Sequence, residues 1–264
     1  MTLDILVSTI DEGILRVPSM LLPPIDGIGW VVSMQYTEEL FLQMVPSILK
    51  ERADVRLTFI QGRGLSINRN NAISKATADI LLIADDDCRY SIDSLKSVIR
   101  FYKENPYADV VCFAAADYDG KPLKQYPSKL LPYNDALRLG YYPCSVEMTM
   151  RSTVSVRFDE RFGLGSKLLC AGEEDVFIKD ALMRKYDVLV CPKLIVRTNS
   201  NTTGCLFISN PRLQLTKGAT FRYVYGIPRA LWLTLKEAAH YLFHEGKNPF
   251  PILFNMLRGL WILR

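Results

Sequence analysis

The chain has 264 residues, of which 49% are hydrophobic and 23% charged, with a formal net charge of +4. This balance gives room for a sizeable core and excludes a disordered polymer. The mild positive charge suits an anionic substrate or a membrane surface, and no Lys/Arg block is interleaved with aromatics as in a nucleic-acid groove, so no nucleic-acid partner is expected.

Residues 3–9 (LDILVST) predict a buried first strand that ends in small polar residues. Residues 29–34 (GWVVSM) follow a Pro/Gly-rich loop and predict a second strand. Residues 37–49 are apolar at helical spacing with acids in the first turn, which predicts a helix. Residues 55–60 (VRLTFI) predict a third strand. After the glycine-bearing turn 61–64, Ser66 is positioned to cap a helix over 67–76. Residues 79–83 (DILLI) form a strand that runs into Asp85, Asp86 and Asp87. A helix over 93–105 stops before Pro106, and residues 108–114 predict another strand. This βαβαβ alternation predicts an α/β fold with a largely parallel sheet. Ligands of such sheets lie beyond the carboxyl ends of the strands, which is where the acidic triplet falls.

The stretch 117–140 reads as loops. Residues 173–186 predict a helix opening on acids and closing on Arg184 and Lys185. Residues 188–191 predict a strand ended by Pro192, and 199–204 a polar turn. From Gly226 onward the chain reads as helical and cationic. We therefore expect a catalytic domain over 1–225 and a helical tail over 226–264.

None of the six cysteines forms a CxxC pair and only two histidines are present, His240 and His244. A zinc site is not expected; the cysteines read as reduced thiols of a cytosolic protein. The acidic N-terminus does not resemble a signal peptide, and no run is apolar and long enough to span a bilayer. The expected location is cytoplasmic, with the inner face of the membrane as an alternative.

Three adjacent carboxylates repel one another unless a cation or solvent relieves them. Asp85 and Asp87 form an Asp-x-Asp pair suited to Mg²⁺ or Mn²⁺, which takes one or two carboxylates plus phosphate oxygens. Upstream, Gly62 and Gly64 permit close backbone approach to a helix N-terminus, and Arg69 falls in the first turn. Arg69 either reaches a diphosphate by bidentate bonds or pairs with a sheet-edge acid and shapes the site without touching donor.

Gly64-Leu65-Ser66-x-x-Arg69-Asn70-x-Ala72-Ile73, followed by Ala78–Leu82 and Asp85-Asp86-Asp87, resembles the inverting family-2 glycosyltransferases of the GT-A fold. The resemblance covers roughly residues 3–195. It implies a Rossmann-like, mixed, mostly parallel sheet flanked by helices, with a nucleotide-diphosphate sugar as donor, UDP being the family's commonest nucleotide. The acceptor implied is a saccharide or lipid-linked saccharide of surface polysaccharide assembly. Metal ligation falls to Asp85 and Asp87, and donor contacts to Thr9, Gln35, Arg69, Asp85 and Asp86. Gly172-Glu173-Glu174-Asp175 resembles the family's Glu-Asp motif. By that resemblance Asp175 is the general base, and Glu174 binds acceptor hydroxyls or positions the base.

The chain departs from the family pattern in three places. The loop after the first strand lacks the Pro-x-Tyr-Asn pattern, Gln35 stands where an acid follows the second strand, and Arg197-Thr198 stand where a His follows the last. Tyr36 either stacks on a base or packs beside a helix. In the tail, Trp232, Phe250, Phe254 and Trp261 with Arg258 and Arg264 suit a lipid interface, that is, peripheral membrane association, or the core of a packed helix pair. Two other readings compete. A nucleotidyltransferase wants a glycine-rich basic loop after the first strand, where residues 9–16 supply only Gly13 and Arg16. A non-catalytic saccharide-binding or scaffold protein could keep the fold.

Overall fold

The structure, a computed structural model, describes residues 1–199, 206–245 and 248–263, without the side chains of His244 and Glu245. Two compact units are interleaved along the chain. The first comprises Met1–Arg63, Ile67–Arg157 and Asp180–Ser200; the second comprises Gly64–Ser66, Phe158–Lys179 and Asn201–Arg264.

The first unit is built on an eight-stranded sheet: β1 (Leu3–Ile10), β2 (Ile28–Tyr36), β3 (Val55–Gln61), β4 (Ile80–Asp85), β5 (Val110–Ala116), β6 (Leu131–Pro132), β7 (Met148–Arg151) and β8 (Val188–Arg197). The order is β3-β2-β1-β4-β7-β5-β8-β6. β3, β2, β1 and β4 run parallel, as do β5 and β8, while β7 is antiparallel to both β4 and β5. The expected mixed, mostly parallel sheet is therefore present. Its strands are near-continuous apolar runs because helices cover the faces of such a sheet: residues 3–9 of β1 and all of β5 are buried. Register places Ile10 beside Gln35 and Ser8 beside Asp85, so three strand ends open onto one edge.

Several local expectations are corrected. The helix predicted over 37–49 is a 3-10 helix, Glu39–Met44, followed by α1 (Ser47–Glu51). Pro46 forces Val45 out of the helical region (ψ 116°) and splits the run. The loop after β1 is itself a 3-10 helix, Asp11–Met20. Ser66 is no cap: α2 spans Leu65–Lys75, and the Ser66 hydroxyl donates to the Phe162 carbonyl at 2.7 Å. α3 (Ile92–Glu104) instead has a reciprocal Ser91/Ser94 capping box. The stretch read as loops carries β6 and α4 (Tyr133–Arg138), and β7 was not anticipated. Pro192 does not end β8. It falls where the register with β5 shifts between Cys112 and Ala114, an irregularity that tolerates a residue without an N–H.

The second unit holds α5 (Glu173–Met183) as far as Lys179 and three helices, α6 (Pro211–Tyr225), α7 (Ile227–Glu245) and α8 (Pro249–Gly259). Asn210 and Asn248 cap α6 and α8 through their side-chain oxygens. α6 and α8 pack backbone to backbone: a Cβ on Gly218 would strike the Met256 carbonyl, and one on Gly259 the Leu215 carbonyl. Phe162, Leu169, Val176, Leu215 and Ala219 form one apolar cluster of this unit. The polar turn expected over 199–204 lies outside the described residues except Asn199. Among the described residues no helix is long and apolar enough to cross a membrane, and the five described cysteines are free.

Candidate functional site

β4 is buried from Ile80 to Ala84, so its polar groups appear only where it leaves the sheet. The three carboxylates then part. Asp85, 38% exposed, accepts from Arg69 Nη2 at 3.1 Å. Asp86 is buried and accepts from Thr9 Oγ1 at 2.5 Å and from Arg16 Nε at 3.0 Å and Nη2 at 2.7 Å. Asp87, half-buried, accepts from Thr198 Oγ1 at 2.9 Å, and its carbonyl accepts from the Tyr118 hydroxyl at 2.6 Å. Burial raises the Asp86 pKa above the ordinary carboxylate value, opposed by the Thr9 and Arg16 hydrogen bonds. Burial, then the Asp85 charge, pushes the Cys88 thiol up, which leaves it neutral and inert beside the acids.

Arg69 is 1% exposed, and its Nη2 divides between Asp85 and the Ser145 hydroxyl, the latter at 2.7 Å. Its guanidinium thus pairs with a sheet-edge acid. The Thr9 hydroxyl donates to Asp86, and its carbonyl accepts from Asn68 Nδ2 at 2.9 Å. Gln35 is buried at the end of β2, and half-buried Tyr36 packs against the apolar core of this unit. An acid reaches this edge from the start of the 3-10 helix after β1: Asp11, at φ 49°, accepts from the Thr37 amide at 2.8 Å and faces Arg63 at 3.7 Å. Gly13 is required beneath it, because a Cβ there would collide with Asp86 Oδ2 and Thr9 Oγ1. Arg16, Ser145 and Tyr118 received no site role from the sequence. They lie 70, 60 and 31 positions from the acids they serve, directly or through Arg69, and only the fold reveals them.

In the second unit, Gly172 at φ 83° turns the chain into α5, and a Cβ there would strike the Thr220 hydroxyl. Glu173, Glu174 and Asp175 form the first turn, where acids complement the helix dipole. Glu173 is buried, while Glu174 and Asp175 are half-buried. Burial, and then the Asp175 charge, raises the Tyr225 hydroxyl pKa, opposed by the Arg229 charge.

The Asp85 and Asp87 carboxylates supply hard oxygens suited to Mg²⁺ or Mn²⁺. Among the described residues no group of three or more His, Cys, Asp and Glu side chains gathers as a metal cage. Such an ion fits here only with oxygens from a bound diphosphate and water completing its shell. That is the usual arrangement for Mg²⁺. His240 is exposed on α7, and the side chain of His244 lies outside the described residues.

The family model for glycosyl transferase family 2 matches residues 37–162, a stretch that includes Arg69 and all three acids. Comparison with curated proteins gives no match. Among solved structures, residues 1–349 of S. aureus TarS superpose with a TM-score of 0.62 at 17% identity, covering 97% of this chain and 90% of that one. The same protein in complex with UDP-GlcNAc gives 0.61 at 15% identity, covering 97% and 91%. Mannosyltransferase PcManGT from Pyrobaculum calidifontis, in complex with GDP-Man and Mn²⁺, gives 0.59 at 13% identity, covering 99% and 88%. These likenesses establish the GT-A fold.

Proposed function

We propose that the chain, which the glycosyl transferase family 2 model matches over residues 37–162, transfers a sugar with inversion from a nucleotide-diphosphate donor to a saccharide or lipid-linked saccharide acceptor of surface polysaccharide assembly. The observation that carries this reading is the acidic loop: two half-buried carboxylates, Asp85 and Asp87, at the carboxyl end of a buried strand within the matched region. They would hold Mn²⁺ or Mg²⁺. When bound, that ion neutralises charge building on the leaving nucleoside diphosphate. Arg69 acts through Asp85 by fixing its carboxylate. Asp86 acts through Thr9 and Arg16, holding the 3-10 helix 11–20 against the strand ends. Thr9 and Gln35 border the nucleoside end of the donor.

In this reading Asp175 takes the proton of the acceptor hydroxyl as its oxygen bonds to the anomeric carbon and the bond to the diphosphate breaks. A single displacement inverts the centre and needs no enzyme nucleophile. Glu174 orients the acceptor. UDP is the proposed nucleotide, in keeping with the UDP-GlcNAc bound to TarS, although the GDP-Man of PcManGT keeps GDP in the panel. Residues 1–225 carry the chemistry and 226–264 form a tail. Trp232, Phe250, Phe254 and Trp261 are exposed on α7, α8 and the turn after α8, and Lys236 and Arg258 lie over the Trp232 and Phe254 rings. That pattern suits peripheral contact with anionic lipid at the cytoplasmic face.

The test is release of nucleoside diphosphate from a panel of UDP- and GDP-sugars, with and without Mn²⁺. Metal-stimulated turnover of one donor, lost in Asp175→Asn once an acceptor is supplied, is expected. Folded protein that turns over no donor would instead favour the non-catalytic saccharide-binding reading, in keeping with Arg197-Thr198 standing where the family has a His.

A further inference from the structure

Between β5 and β7 the chain makes a long excursion, residues 117–147, that touches the acidic loop at its start and Arg69, the partner of Asp85, at its end. At its start the Tyr118 hydroxyl donates to the Asp87 carbonyl at 2.6 Å. At its end the Ser145 hydroxyl accepts from Arg69 Nη2 at 2.7 Å, the same nitrogen that donates to Asp85 at 3.1 Å. Two residues beyond Ser145 lies Glu147, 0% exposed. Its carboxylate accepts from the Tyr126 hydroxyl at 2.6 Å, the Tyr141 hydroxyl at 2.7 Å and Lys124 Nζ at 2.9 Å.

All three donors belong to the excursion itself. Lys124 is nearly fully buried, 4.3 Å from the centroid of the Tyr142 ring, and it also donates to the Tyr142 carbonyl at 2.7 Å. The Tyr126 hydroxyl accepts from the Ala115 amide at 2.9 Å, which fastens the knot to β5. Burial raises the pKa of Glu147 and of the Tyr126 and Tyr141 hydroxyls, and it lifts the nearby Cys112 thiol to about 12, with the Glu147 charge adding to that rise. A buried ion pair returns little net stability, so its value lies in the one arrangement that satisfies it. That arrangement lies within the excursion whose ends meet Asp87 directly and Asp85 through Arg69.

We propose that Glu147 is a positioning residue for the acidic loop, acting through the excursion on Ser145, Arg69 and Asp85 at one end and on Tyr118 and Asp87 at the other. The coupling itself stands on these bonds; its consequence for donor use rests on the function proposed above. Glu147 touches neither Asp85 nor Asp87, and its effect travels only through the excursion.

The experiment compares the full chain with Glu147→Gln, Tyr126→Phe and Asp135→Asn by amide hydrogen exchange, and by the Mn²⁺ dependence of donor turnover. Asp135 pairs with Arg138 in the open, within the same excursion, and serves as the control. Glu147→Gln is expected to speed exchange across residues 85–88 by about tenfold, and Tyr126→Phe, which removes a single donor, by a smaller factor. The Mn²⁺ concentration for half-maximal turnover should rise in the same order while turnover at saturating Mn²⁺ is held, and Asp135→Asn should change neither. Faster exchange confined to residues 118–147, with 85–88 as protected as in the parent, overturns the proposal. Should Glu147→Gln fail to fold, Tyr126→Phe decides by the same criterion. A parent that turns over no donor overturns the function reading alone, since the exchange result stands without it.

Discussion

The acidic loop after β4 and the Glu147 knot both concentrate carboxylate and hydroxyl groups on the first unit, yet they treat charge in opposite ways. At the loop, Asp85 and Asp87 are half-buried, and each carboxylate has one partner among the bonds described above, which leaves oxygens for a ligand. At the knot, Glu147 is fully enclosed and three donors from the protein saturate it. Asp86 belongs with the knot although it sits inside the triplet, since burial, Thr9 and Arg16 consume it. Neighbours in sequence can therefore do different work. A carboxylate with spare lone pairs at a strand end meets ligand, whereas a saturated one holds structure.

This contrast predicts opposite phenotypes. Asp87→Ala should lower donor turnover by about 10⁴-fold, or ~5 kcal/mol of transition-state stabilisation, while denaturant unfolding stays close to the parent. Equal losses of activity and stability would erase the distinction. Glu147→Ala should show the reverse emphasis: it strands a buried Lys124 and should lower unfolding free energy by about 3–5 kcal/mol in urea titrations. Gly13→Ala, which crowds Asp86 and Thr9, should cost about 1–3 kcal/mol by the same titration. Thr198→Val removes one hydroxyl from Asp87 and should weaken Mn²⁺-supported donor binding by about 1 kcal/mol, read by calorimetry.

The pH dependence sharpens the same comparison. Burial raises the Glu147 pKa, so the native state keeps this proton at pH values where the unfolded chain has lost it. Stability from this group is fully present below the ordinary glutamate pKa and declines as pH rises through the raised native value. Glu147→Gln should flatten that decline in urea titrations run from pH 4 upward, and an unchanged slope would remove Glu147 as its source.

Much of this organisation was legible in the sequence, because the informative residues are contiguous there. An apolar run ending in three acids announces both a buried strand and an exit for charge, and the Gly64–Ile73 block supplies the helix that carries Arg69. What was not legible depends on partners far along the chain. β7 is four residues long and acquires its strand character only by pairing with β4 and β5. Pro192 reads as a strand end, yet a register shift absorbs it. Apolar spacing over 37–49 suggested a helix, and Pro46 overrode it. Asp86 looked like its neighbours until Arg16, 70 positions away, was seen to hold it. Glu147 has no motif at all, and its meaning comes from three donors that the excursion brings together.

The central claim is that Asp85 and Asp87 form the metal-dependent seat of a donor diphosphate. Its most direct test is calorimetric titration of UDP into the parent and into Asp87→Ala, each with and without Mn²⁺. Binding by the parent that requires Mn²⁺ and disappears in folded Asp87→Ala is the predicted result. Equal UDP affinity with and without Mn²⁺, retained in Asp87→Ala, would contradict it.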